Sequence, residues 1–125
     1  MTNYLHLYIV LAVLLISVLA MNVSRIRMQE QIGNGDGNNK KLKKAIRAHI
    51  NTLEHCIPFA LLLWVLNDLR LATSYMAVFS MGFMLVRLMH SYGILAPHFR
   101  MRQVAAGLCY GFEIAACATI LVILF

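Results

Sequence analysis

The stretch Arg47-Ala48-His49-Ile50-Asn51-Thr52-Leu53-Glu54-His55-Cys56-Ile57-Pro58-Phe59 (RAHINTLEHCIPF) runs without a break into the apolar ALLLWVL of residues 60–66. A helix that enters a bilayer has no use for so many polar side chains unless they are shielded from lipid. At 100° per residue, Arg47, Asn51 and Glu54 fall at about 0°, 40° and −20°, one narrow polar stripe that is expected to turn inward. His55 flanks it at about 80°, whereas His49 points away at about 200°. Pro58 cannot donate to the carbonyl of Glu54, so it either kinks the helix or frees that carbonyl where the stripe ends.

Composition sets the frame around this stretch. Of the 125 residues, 61% are hydrophobic and only 13% charged, too apolar for an ordinary soluble domain of this length. A bilayer core about 30 Å thick takes roughly 20 apolar residues per helical span. Four stretches qualify, at about 4–23, 45–66, 71–92 and 104–125, so residues 1–125 are expected to form a single four-helix transmembrane domain. The first stretch has no Lys or Arg ahead of it and no clean small-residue cleavage site, and is expected to be a retained helix rather than a signal peptide. Cys56, Cys109 and Cys117 lie in apolar segments without C-x-x-C spacing, which argues against a zinc or redox motif, and no metal site is expected.

Between the first two spans, residues 24–44 hold the turn-rich Gly33-Asn34-Gly35-Asp36-Gly37-Asn38-Asn39. The sequence NDLR makes a tight turn after the second span, and GILAPHFR joins the third and fourth around Pro97. Of the 11 Lys and Arg residues, seven border the first loop, three (Arg87, Arg100, Arg102) surround the third connection, and Arg70 alone lies opposite. This bias assigns the basic face to the cytoplasm and both termini to the outside. The net charge of +6 is then a topology signal, and no exposed basic module for nucleic acid accompanies it.

Span three ends with Arg87 and His90 on one face, and span four begins with Arg100 and Arg102. Because spans alternate direction, Arg47, Asn51, Glu54, Arg87, His90 and Arg102 are expected to converge at comparable depth near the basic face. An intramembrane ionisable group is expensive unless paired, so this convergence is a candidate binding site. Arginines beside one carboxylate and one amide suit a small, anion-rich zwitterion: guanidinium forks match carboxylates, and Glu54 would accept an ammonium. Either a peptide-like or a phosphorylated ligand satisfies that pattern.

The same residues resemble the second-helix signature of the MAPEG proteins, membrane-associated proteins of eicosanoid and glutathione metabolism, with its pattern R-A-H-x-N-x-x-E-x-x-x-P-F. Arg47, Ala48, His49, Asn51, Glu54, Pro58 and Phe59 all match. GNGDGNNKKLKKAIRAH is similar to the loop leading into that helix in bacterial members, RLMHSYG to the end of their third helix, and RQV to the start of their fourth. The resemblance implies a four-helix bundle assembled as a homotrimer in a bacterial inner membrane, with glutathione between subunits near the cytoplasmic face. By position it implies that Arg47, Asn51, Glu54 and His90 contact glutathione, that Arg102 stabilises its thiolate, and that Arg87 supports the site. Arg25 or Arg27, from the adjacent subunit, would reach the peptide's carboxylates. Two positions depart from eicosanoid-metabolising members: Ile94 where some have tyrosine, and Gln103 where one has serine.

A free thiol titrates near 8.5, leaving only a few per cent thiolate at neutral pH. A hundredfold shift toward thiolate beside Arg102 corresponds to about 2.7 kcal/mol. The second substrate would enter from the bilayer, which implies an apolar electrophile or a lipid hydroperoxide and a glutathione transferase or peroxidase activity. One family branch binds lipids without catalysis, so a lipid-binding or small-anion-binding protein is the alternative. Glu113, about 16 Å deeper than Arg102 along span four, also admits a proton-coupled exporter, although the cationic cluster opposes cationic cargo and no internal repeat accompanies it. Haem ligation by His49, His90 or His98 would need facing histidines at one depth.

Overall fold

The computed structural model describes residues 3–96 and 98–125, so the connection expected around Pro97 lies outside the described residues. It has four helices: α1 (Tyr4–Glu30), α2 (Lys40–Asp68), α3 (Thr73–Leu95) and α4 (Phe99–Leu124). All four are long and apolar enough to cross a membrane, and the fold is an all-α membrane bundle. Each helix overruns or shifts from the apolar stretch that announced it. Helix α1 continues through the polar Asn22–Glu30 until Gln31 adopts a left-handed conformation (φ 54°). Helix α2 starts at Lys40, ahead of the apolar residues, because the Asn39 side chain accepts a hydrogen bond from the Leu42 N–H at 3.0 Å and caps the first turn. The helix then continues through Pro58 as one element.

Helices α2 and α3 form the centre, α1 and α4 pack on either side of them, and α1 does not meet α4. The inward face of α2 is Ala45, Ala48, Thr52, Cys56, Phe59, Leu63 and Leu66, a spacing of three and four that puts one residue per turn into the core. Phe59 stacks on Phe83 of α3 at 3.8 Å between ring centroids, Tyr8 of α1 packs edge-on at 5.9 Å from Phe59, and Phe112 of α4 lies 6.3 Å from Phe83. Tyr8 is fully buried, and its hydroxyl donates to the Cys56 carbonyl at 3.0 Å, so this aromatic core leaves no orphaned phenol.

Helices α3 and α4 approach closely at two glycines. A Cβ on Gly93 would lie 2.9 Å from the Arg102 backbone nitrogen, and one on Gly82 would strike the Phe112 ring at 2.6 Å. The first contact fixes the start of α4 against the end of α3 and so places Arg102. The small residues of α4 act differently from one another: Ala105 is buried, whereas Gly107 and Gly111 face outward with open space around them.

Candidate functional site

Arg87 is the largest fully buried side chain in the bundle. Its guanidinium donates to Asn51 Oδ1 at 2.9 Å, Thr52 Oγ1 at 3.2 Å and Cys109 Sγ at 3.4 Å, tying α3 to both α2 and α4. Thr52 in turn donates to the Ala48 carbonyl at 2.8 Å and shares a hydrogen bond with Ser91 Oγ at 3.1 Å. Every partner of Arg87 is neutral, and among the described residues its Nε and the buried His90 Nδ1 have no hydrogen-bond partner. The sequence does not mark Thr52 or Ser91 as site residues, and it marks Cys109 only as a cysteine outside any zinc or redox motif. Their signal was weak, since a hydroxyl or thiol on a membrane helix is ordinary, although Thr52 adjoins Asn51 and lies one turn from Ala48.

The polar stripe of α2 does not turn inward. Arg47 and Glu54 are exposed on the surface of the single chain, and Asn51 is half-buried. The reason is rotational. Ala48, Thr52 and Phe59 sit at about 100–140° on the wheel that places Arg47 at 0°, and these small or apolar residues take the core side. Asn51, at the stripe's edge, is the only member that reaches inward to Arg87. Neither Arg47 nor Glu54 has an ion-pair partner among the described residues.

His90 is buried at 6% exposure and lies near Arg87, His55, Arg102 and Arg47. Residues of α2, α3 and α4 thus come together around His90 and Arg87. Arg47 to Glu54 alone covers about 10 Å of helical rise, so the groups form a column along α2 rather than a layer at one depth. Arg102 is half-buried near the basic end, its guanidinium 5.3 Å from the Phe99 ring centroid, a cation–π contact that holds it on its own helix. Arg25 and Arg27 stand apart on α1: Arg25 is bonded to Asn22 Oδ1 at 2.9 Å and Arg27 to the Gly35 carbonyl at 2.7 Å.

Farther from the basic end, His55 Nδ1 and Glu113 Oε1 meet at 2.6 Å, with side chains 16% and 24% exposed. The Tyr110 ring stands edge-on to His55 at 5.6 Å. This pair gives Glu113 a partner on α2, and the sequence could not reveal it because the two residues are 58 positions apart. Of the histidines weighed as haem ligands, His98 caps α4 by accepting from the Met101 N–H at 3.3 Å, and His49 is half-buried. No group of three or more metal-ligating side chains occurs among the described residues.

Residues 5–124 match the family model described as the MAPEG family. The chain belongs to the MAPEG family. Its curated relatives include the inner membrane protein YecN of Escherichia coli strain K12, 37% identical over 120 residues, which are 94% of this chain and 86% of that protein. The protein of the same name from Escherichia coli O6:H1 matches to the same extent. No solved structure matches the chain. MAPEG membership makes this a four-helix membrane protein of the glutathione-related kind in general, and the residues of the MAPEG second-helix motif fall on both sides of α2: Arg47 and Glu54 outward, Ala48 and Phe59 in the core.

Proposed function

We propose that the protein is a glutathione-dependent membrane enzyme, a transferase or peroxidase that brings a glutathione thiolate to apolar electrophiles or lipid hydroperoxides. The observation that carries this reading is the exposed, unpaired Arg47 and Glu54 beside half-buried Asn51 on a membrane helix. Charged groups left without partners at that position need an outside counterpart. A tripeptide with two carboxylates and one ammonium supplies both signs, and a neighbouring subunit closing over α2 would shield the rest.

In this reading Arg47 takes a glutathione carboxylate, Glu54 the ammonium, and Asn51 and His90 the peptide groups between. Arg87 is a positioning residue, orienting Asn51 from behind. Arg25 and Arg27 enter through an adjacent subunit of a homotrimer, at the carboxylate end. Arg102 lies beside the sulfur and favours the thiolate, which attacks a second substrate arriving from the bilayer. The basic face is cytoplasmic, both termini are outside, and the membrane is the bacterial inner membrane, as the name of the YecN relatives supports.

The test is glutathione binding by the detergent-purified protein, followed by thiolate absorbance in the ultraviolet, for wild type and Arg102→Ala. Wild type is expected to show a thiolate band at neutral pH, and Arg102→Ala to bind glutathione while losing the band by about tenfold or more, the range of a charge-assisted contact. Absence of binding at millimolar glutathione would overturn the reading in favour of a protein that holds another anion or a lipid.

A further inference from the structure

Helices α1 and α3 leave a furrow between them. Its middle is an apolar groove of about 510 Å³, walled by Leu11, Leu14 and Val18 of α1 and by Met81, Leu85 and Leu88 of α3. Toward the basic end lies a second hollow of about 520 Å³, lined by Asn22 and Arg25 of α1, by Lys40, Lys41 and Lys44 of α2 and by Leu95 of α3. The groove and the hollow lie in line. Along α1, Leu11, Leu14, Val18, Asn22 and Arg25 follow at intervals of three and four and share one face. Along α3, Leu88 and Leu95 are a heptad apart.

The two parts differ in chemistry as the two parts of a lipid do. The groove is lined by aliphatic side chains, with Leu14 57%, Val18 56% and Leu85 62% exposed. No acidic residue lines the hollow. The Arg25 guanidinium is held by Asn22 at 2.9 Å, whereas the neighbouring Lys43, outside the hollow, already faces Asp36 at 4.0 Å. From Leu11 to Arg25 the rise is about 21 Å, which matches one bilayer leaflet with its headgroup layer. Positive-inside topology accounts for basic residues at this end, but not for their convergence from two helices over the mouth of an apolar groove.

We infer that this furrow is a binding site for one anionic phospholipid, its phosphate in the basic hollow and an acyl chain along the α1–α3 groove. Basic pockets between membrane helices on the cytoplasmic side hold anionic headgroups by charge, and the groove adds apolar burial. The inference does not depend on glutathione binding: of the residues assigned to glutathione only Arg25 borders the hollow, and none of the variants tested below changes one of them.

The experiment is native mass spectrometry of the full-length protein in mild detergent, titrated with dioleoyl phosphatidylglycerol, dioleoyl phosphatidylcholine or inorganic phosphate. Wild type is expected to take one phosphatidylglycerol at least about tenfold more tightly than phosphatidylcholine. Removing two lysines by Lys41→Gln with Lys44→Gln should lower phosphatidylglycerol affinity at low salt by about fivefold for each charge and so abolish most of that preference. Val18→Trp, which fills the groove, should weaken both lipids and leave their ratio alone, and Lys43→Gln should change neither by more than about twofold.

Equal affinity for the two lipids would overturn the inference, as would a Lys43→Gln effect as large as that of the double variant. If millimolar phosphate displaces the lipid and Val18→Trp has no effect, the hollow is a free-phosphate site and the furrow is not a lipid site. If no lipid binds and Val18→Trp instead dissociates an oligomer, the furrow belongs to a second copy of the chain.

Discussion

The two sides of α2 carry polar residues for opposite purposes. On one side Thr52 and the inner edge of Asn51 are bonded into a network around Arg87 that has no access to solvent or lipid. On the other, Arg47 and Glu54 are exposed and have no partner among the described residues. The first arrangement satisfies a buried cation with neutral oxygens and a sulfur, and so consumes its own polarity. The second leaves charge available to something outside the chain. A membrane helix can thus be polar for the fold on one face and for a ligand on the next, with Asn51 touching both.

The sharpest way to break this comparison is to remove Arg87. Arg87→Ala leaves a cavity at the junction of three helices and strips Asn51 and Thr52 of their donor. The expected cost is about 3 kcal/mol or more in a denaturant titration of the detergent-solubilised protein. Arg87→Lys should fall between the variant and wild type, because one ammonium cannot reproduce a guanidinium that spans α2 and α4. A stable Arg87→Ala protein that fails only in glutathione binding would move Arg87 to the ligand side and reverse the comparison.

The next largest effect concerns the outward face. Glu54→Gln removes a charge that has no ion-pair partner among the described residues, so stability should stay within about 0.5 kcal/mol of wild type. Glutathione affinity should fall by about tenfold or more, as expected when a charge-assisted hydrogen bond worth about 1.5–3 kcal/mol loses its charge. Calorimetric titration with glutathione, run beside the unfolding curve, separates the two quantities. Loss of stability without loss of affinity would make Glu54 a structural residue of a subunit contact.

Much of this was legible in the sequence because the bilayer imposes length and composition. The four spans, the turn-rich loop at Gly33–Asn39 and the shared wheel face of Arg47, Asn51 and Glu54 all follow from residue spacing. Which way that face points does not. In a soluble helix the apolar side is the core side, but here lipid is as apolar as the core, and both sides of α1 and α4 read alike. Only small or packing-competent residues at Ala45, Ala48, Thr52, Cys56 and Phe59 distinguish the inward side of α2. The pairing of His55 with Glu113 was illegible for a different reason, since nothing local relates residues on helices that meet only through tertiary packing.

That pair supplies the smallest and most specific test, because it lies between the two faces compared above. His55 sits at about 80° on the α2 wheel, between the outward stripe and the core, and its contact with Glu113 at 2.6 Å is only partly screened, with side chains 16% and 24% exposed. If the pair is a clamp between α2 and α4, His55→Ala should cost about 1 kcal/mol, because it strands a carboxylate in an apolar segment. Glu113→Ala should cost a similar amount through the lost contact. The double variant should then cost less than the sum of the two, by a coupling of about 1 kcal/mol, since removing both members leaves no stranded charge. Strict additivity would mean that the two side chains do not hold one another, and α4 would then be held chiefly by α3, through the close approaches at Gly82 and Gly93 and the Arg87–Cys109 contact.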